Sequence, residues 1–72
     1  MSEYDYWIIT DRLGPSLLGG HRYRAFVGYM YHNDGTLRTR VDRDFGETCG
    51  RTDEEARQKM EEKIRSWQVA LG

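Results

Sequence analysis

The order of apolar and polar residues predicts three strands and then one helix. Tyr4–Thr10 is rich in aromatic and β-branched side chains, which fit the pleated surface of a sheet. Arg22–His32 has the same character over a longer run, and Thr36–Asp42 alternates with a period of two. Asn33–Gly35 lies between these two runs, and Asp-Gly tolerates the positive φ angles of a type I′ turn. The second and third strands are therefore predicted to be antiparallel neighbours.

The last third of the chain predicts an amphipathic helix from about residue 53 to residue 71. Apolar side chains recur there in steps of three and four, with mostly charged residues between them. They are Ala56, Met60, Ile64, Trp67 and Leu71. Thr52 and Glu55 have the spacing of a capping box, and the acidic residues of the first turn favour a helix start. Gly46 and Gly50 are interpreted as turn glycines in the hinge before this helix.

These elements predict one α+β domain over residues 1–72, with the order β-β-β-α and the helix covering one face of a three-stranded antiparallel sheet. Strand parity places Leu37, Thr39 and Val41 of the third strand toward the helix. In the second strand the uncharged parity is the inner one: Tyr23, Ala25, Val27, Tyr29 and Tyr31. In the first strand either parity fits, and Tyr4, Tyr6 and Ile8 are favoured because the alternative buries Asp5. Met60, Ile64, Trp67 and Leu71 are then expected to pack on Tyr23, Val27, Leu37 and Val41.

The opposite parity leaves an arginine-rich and apolar surface with no helix to cover it. Residues of these types are enriched in the cores of protein interfaces, so this sheet face is predicted to bind a partner. The candidate binding residues are Trp7, Arg22, Arg24, Phe26, Met30, Arg38 and Arg40.

Composition limits the class of partner. The chain has 11 basic and 12 acidic side chains and a net charge of −1, so it lacks the basic excess typical of nucleic-acid binders. One cysteine cannot form a disulfide framework, and no apolar run approaches the roughly 20 residues of a membrane span. A cytoplasmic protein without a membrane association is expected.

Candidate chemistry is sparse. His21, His32 and Cys49 are the obvious metal ligands, but their spacing does not match a zinc site. The glycine-rich segment around Leu17 and Leu18 lacks the features of a phosphate-binding loop. We therefore expect no enzyme activity, no metal and no cofactor. The two leucines are expected either to pack under the sheet edge or to form a mobile contact tip.

The segment "TCGRTDEEA", Thr48 to Ala56, resembles the T-x-G-x-T-x-x-E-A signature of HicB-like antitoxin domains. The preceding strand, Asp-Gly turn and strand look similar too, so the resemblance covers roughly residues 22–64. Family members usually have Pro-Gly before the signature, where this chain has Phe45-Gly46 one residue out of register, and a DNA-binding domain usually follows. The resemblance implies a domain that holds or masks another protein. In size and style the chain is also similar to phage-encoded inhibitors such as anti-CRISPR proteins.

Two functions remain open from the sequence. The first is a protein-binding module that inhibits or masks its partner through the exposed sheet face. The alternative is a nucleic-acid-binding module, in which the four arginines contact phosphates while Trp7, Phe26 or tyrosine side chains stack on bases. A homodimer through this face or an edge strand is compatible with either function.

Overall fold

The computed structural model describes residues 2–14 and 22–71 and confirms the α+β class: an antiparallel sheet and one C-terminal helix. The elements are β1 (Ser2–Leu13), β2 (Arg22–Asp34), β3 (Leu37–Arg40), β4 (Glu47–Gly50) and α1 (Asp53–Ala70). β2 is the central strand and pairs with β1 along one edge. On its other edge β2 pairs with β3 at residues 31–34 and with β4 at residues 23–26. The expectations for Leu17, Leu18 and His21 lie outside the described residues.

The predicted strands differ from the observed ones in length and number. β1 is longer than expected and β3 is shorter, while the short strand β4 lies where only a hinge was predicted. Its sequence "ETCG" has neither β-branched enrichment nor a clear apolar alternation. Pairing with β2 and contact with α1 explain why this segment is extended, since strand formation depends strongly on tertiary context.

The hairpin between β2 and β3 is confirmed, but its turn type is not the expected one. The loop consists of Gly35 and Thr36, and only Gly35 has a positive φ, at 64°. A type I′ turn needs positive φ at both central residues, whereas a type II′ turn needs it only at the first, where glycine is preferred. The observed backbone therefore fits type II′.

β2 contains a bulge at Gly28. Trp7 of β1 lies opposite Tyr29, and the next residue, Ile8, lies opposite Val27, so Gly28 is an extra residue on β2. One inserted residue reverses the faces of all side chains beyond it. The alternation that the sequence suggests for β2 therefore holds only up to Val27.

Two expectations about β2 are wrong for this reason. Met30, predicted on the uncovered face, is 2% exposed and belongs to the core. Tyr29 and Tyr31, predicted to face the helix, lie on the opposite face, and Tyr29 is 44% exposed. Before the bulge the predicted parity is correct, because Ala25 is fully buried.

The core lies between the sheet and α1. The buried residues are Ile8, Ala25, Met30, Phe45, Ala56, Met60 and Ile64. Tyr4 and Tyr6 pack against this cluster, which confirms the parity favoured for β1. Trp67 makes edge-to-face ring contacts with Tyr4 at 5.1 Å and with Phe45 at 5.3 Å between ring centroids.

Two predicted core residues, Leu37 and Leu71, are instead exposed, at 65% and 58%. α1 packs on β1, β2 and β4, and β3 lies outside the area that the helix covers. Leu37 of β3 therefore has no helix above it, and Leu71 lies just beyond the C-terminal end of α1.

Candidate partner-binding face

The sheet surface opposite α1, here called the open face, is formed by alternate residues of all four strands. No helix of the described residues covers it. The register places on it Glu3, Asp5, Trp7, Ile9, Asp11 and Leu13 of β1, Arg22, Arg24, Phe26, Tyr29, Tyr31 and Asn33 of β2, Arg38 and Arg40 of β3, and Glu47 and Cys49 of β4.

One part of the open face is an ion-paired end, defined by Asp11, Arg24, Phe26 and Glu47. Arg24 Nη2 donates to Asp11 Oδ2 at 2.9 Å, and Nη1 donates to Glu47 Oε2 at 3.5 Å. The hydrogen bond to Asp11 raises the pKa of the Arg24 guanidinium above its ordinary value. The same guanidinium lies 5.3 Å from the centre of the Phe26 ring. The charge of Arg24 is therefore already balanced within the sheet.

The other part is an aromatic end, defined by Trp7, Tyr29, Tyr31, Arg38 and Arg40. Trp7 and Tyr29 lie directly opposite each other on β1 and β2 and are 59% and 44% exposed. The Tyr29 and Tyr31 rings are 5.8 Å apart between centroids. The guanidinium carbon of Arg38 lies 4.3 Å from the centre of the Tyr31 ring, and Arg40 is the ladder partner of Tyr31. Three strands thus contribute to one continuous aromatic and cationic surface.

The two arginines of the aromatic end keep much of their hydrogen-bonding capacity. Among the described residues Arg38 forms no ion pair, and its guanidinium lies over the ring of Tyr31. Arg40 is 3.4 Å from Asp42, but the two side chains are 70% and 87% exposed, so solvent screens this pair strongly. The nearby carboxylate of Asp5 accepts a 2.7 Å hydrogen bond from Asn33. Carboxylates of the sheet therefore neutralise the positive charges of Arg38 and Arg40 less than they neutralise the charge of Arg24.

Six of the seven predicted binding residues lie on the open face, and five of them form no ion pair shorter than that of Arg40 among the described residues. These are Trp7, Arg22, Phe26, Arg38 and Arg40. Arg24 lies there too but is held by two carboxylates, and Met30 is in the core. Tyr29 and Tyr31 also lie on the open face, which the strand pattern did not predict. Gly28 was the available signal, because an isolated glycine inside a strand often marks a bulge, and a bulge changes the face of the residues that follow.

The segment that resembles the antitoxin signature forms the junction between β4 and α1. Thr48 Oγ1 donates to the Ala56 carbonyl at 2.7 Å, and Ala56 is fully buried. The Glu55 N–H donates to Thr52 Oγ1 at 3.0 Å, which confirms Thr52 as the N-cap. The Glu55 carboxylate accepts from the Arg51 N–H at 3.4 Å, one residue earlier than a capping box requires.

Gly50 completes this junction for a steric reason. A Cβ atom there would lie 2.8 Å from the Ala56 nitrogen and 2.9 Å from the Glu55 Cβ. The predicted role as a turn glycine is therefore wrong for Gly50, which is a strand residue, and right for Gly46, whose φ is 71°. All five signature positions have structural roles on the helix side of the sheet.

The remaining sequence candidates do not converge. His32 lies on the helix side and stacks on Tyr4 with ring centroids 4.7 Å apart, whereas Cys49 is partly buried on the open face. Within residues 2–14 and 22–71, no three histidine, cysteine or acidic side chains are grouped to hold a metal ion. In the same ranges no helix has the length and apolar character needed to cross a membrane.

No protein-family model matches this chain, and no curated protein and no solved structure matches it significantly.

Proposed function

We propose that this chain is a small, non-enzymatic protein-binding module that inhibits or masks a partner protein by covering part of its surface with the open face. The observation that carries the proposal is the pair Trp7 and Tyr29, which are exposed side by side on a sheet face that no helix of residues 2–14 and 22–71 covers. Tryptophan, tyrosine and arginine dominate the energetically important positions of protein interfaces, and the aromatic end consists of these three types.

The exposed area of Trp7 gives a measure of this anchor. A tryptophan can bury up to about 250 Å², and Trp7 is 59% exposed. Removing that area from water is worth on the order of 3 kcal/mol, which is in the range of an interface hot spot. The resemblance to antitoxin domains and to phage-type inhibitors supports masking as the outcome of binding.

Trp7→Ala tests the proposal, with Val69→Ala as its control. Val69 is also a large apolar residue and is 74% exposed, but it lies on α1. Each variant and the original protein would be used as bait in an extract of the source cells, and captured proteins would be quantified by mass spectrometry. We expect one protein to be captured by the original chain and by Val69→Ala but to be strongly depleted with Trp7→Ala.

The captured protein is then purified for a binding titration and an assay of its own activity. We expect Trp7→Ala to weaken binding by about 30-fold or more, which corresponds to a hot spot of about 2 kcal/mol. Circular dichroism and thermal melting of both variants establish that they are folded. Equal capture by all three chains would reject the open face as the binding surface, and unchanged activity of the bound partner would reject masking.

A further inference from the structure

We propose that the aromatic end of the open face binds an acidic segment of the partner protein, an inference that rests on the proposed function. In this arrangement Arg38 and Arg40 bind two carboxylates, and Trp7 and Tyr29 contact an apolar side chain beside them. The expected partner is therefore a protein that presents an acidic segment with an apolar side chain next to it.

The first argument is the difference in charge balance between the two ends of the face. Arg24 is held by Asp11 and Glu47 at 2.9 Å and 3.5 Å, so an incoming carboxylate would have to displace an existing one. Arg38 has no carboxylate partner among the described residues, and Arg40 has only the exposed contact described above. The aromatic end is therefore the part of the open face that gains most from negative charge on a partner.

The second argument is geometry. Arg38 and Arg40 are two residues apart on β3 and share one face of the sheet, so their backbone positions are about 7 Å apart. Two acidic residues at positions i and i+2 of an extended segment have the same spacing. An extended acidic segment can therefore engage both arginines at once.

The third argument is the preorganisation of Arg38. Its guanidinium carbon lies over the Tyr31 ring, 4.3 Å from the ring centre, in a cation–π contact. The N–H donors lie in the plane of the guanidinium and stay available for a bidentate contact with a carboxylate. Because stacking already restricts this side chain, less conformational entropy is lost on binding.

The charges on the face favour protein over nucleic acid. Four carboxylates, those of Glu3, Asp5, Asp11 and Glu47, lie on the same face as the arginines. A nucleic-acid strand needs a groove of several cations that follows its phosphates, and the acidic groups interrupt such a groove here. A short acidic segment needs only the two cations of β3.

The test compares two double charge reversals. Arg38→Glu with Arg40→Glu changes the aromatic end, and Arg57→Glu with Arg65→Glu changes the net charge equally on α1, where both arginines are exposed. The original chain and both variants would be used to select from a displayed library of random 12-residue peptides. Circular dichroism and thermal melting are recorded for each chain, and Arg38→Gln with Arg40→Gln replaces the Glu pair if that variant does not fold.

We expect the original chain and the α1 control to enrich peptides with at least two acidic residues and one aromatic or branched apolar residue. The β3 variant should lose these peptides. A fluorescein-labelled copy of an enriched peptide should bind the β3 variant about 30-fold or more weakly and the α1 control within about threefold of the original chain. Its affinity should also fall as salt is raised.

Several results would overturn the inference. Selection of neutral or basic peptides, no enrichment of acidic peptides over the starting library, or equal binding of the acidic peptide to both variants would each do so. Tighter binding of a 20-nucleotide oligothymidylate than of any peptide, lost in the β3 variant, would assign the site to nucleic acid instead. A concentration-dependent dimer in sedimentation, abolished by the β3 variant, would assign it to a second copy. Because the capture experiment with Trp7→Ala is scored without reference to charge, the proposed function can survive when this inference fails.

Discussion

Replacing Gly50 with alanine is the sharpest test of the junction between β4 and α1. The new Cβ would lie 2.8 Å from the backbone nitrogen of Ala56 and 2.9 Å from the Cβ of Glu55. Neither is the far end of a flexible side chain, so the strand and the helix start would have to separate. Gly50 does not have a positive φ, and the expected effect is therefore steric and not a matter of backbone conformation.

The cost follows from the contacts that this separation disturbs. Overpacking of a well-packed site costs about 1–3 kcal/mol. The 2.7 Å hydrogen bond from Thr48 to the Ala56 carbonyl crosses the same junction, and its loss would add about 0.5–1.5 kcal/mol. Alanine restricts the unfolded chain more than glycine does, and this effect offsets about 0.4–1 kcal/mol of the lost stability. We expect a net loss of about 2 kcal/mol from a domain whose total stability, by length, is roughly 4–11 kcal/mol.

Urea denaturation followed by circular dichroism measures this loss, and thermal melting gives a second estimate. For a domain of this size a loss of about 2 kcal/mol lowers the melting temperature by roughly 8–16 °C. Gly14→Ala is the control, because a Cβ at Gly14 meets no atom of the described residues within 4 Å and its φ is not positive. If both variants unfold at the urea midpoint of the original chain, the close contact between β4 and α1 is not present in solution.

Two further predictions concern the helix start and the bulge. Thr52→Ala should cost about 1 kcal/mol, because the Glu55 N–H loses the acceptor that caps the helix, and an unchanged urea midpoint would contradict this N-cap. Met30→Ala should cost about 2–5 kcal/mol, since Met30 is 2% exposed, while Tyr29→Ala on the other face should cost less than about 1.5 kcal/mol. The reverse order of these two losses would show that β2 has no bulge at Gly28.

Local patterns were sufficient for the helix and for most of the first strand. The spacing of Ala56, Met60 and Ile64 predicted the buried face of α1, and Thr52 predicted its first residue, because both depend on contacts within a few residues along the chain. The exposure of Trp7 was predicted by excluding Asp5 from the core, which is an argument about the cost of burying a charge. These features depend on short segments of the sequence and on the cost of removing a charged side chain from water.

The features that the sequence did not predict depend on residues far apart in the chain. β4 is extended because β2 offers it a free edge, and nothing within "ETCG" encodes that edge. Leu37 is exposed because α1 packs on β1, β2 and β4 and makes no contact with β3, which depends on how the helix lies across the sheet. The partners of Arg24 could not be predicted either, because Asp11 and Glu47 reach it from two different strands.

Gly28 connects the fold to the proposed binding surface. Without an extra residue at this position, β2 would keep one alternation along its whole length, and Tyr29 and Tyr31 would face the helix in place of Met30 and His32. The core would then have to hold two bulky phenols, each with a hydroxyl group that needs a hydrogen-bond partner when buried. With the bulge, the flexible Met30 side chain fills the space under α1, and the two tyrosines join Trp7 and the β3 arginines on the open face. The composition of the proposed binding surface thus depends on one glycine that belongs to the backbone of the sheet and takes no part in binding itself.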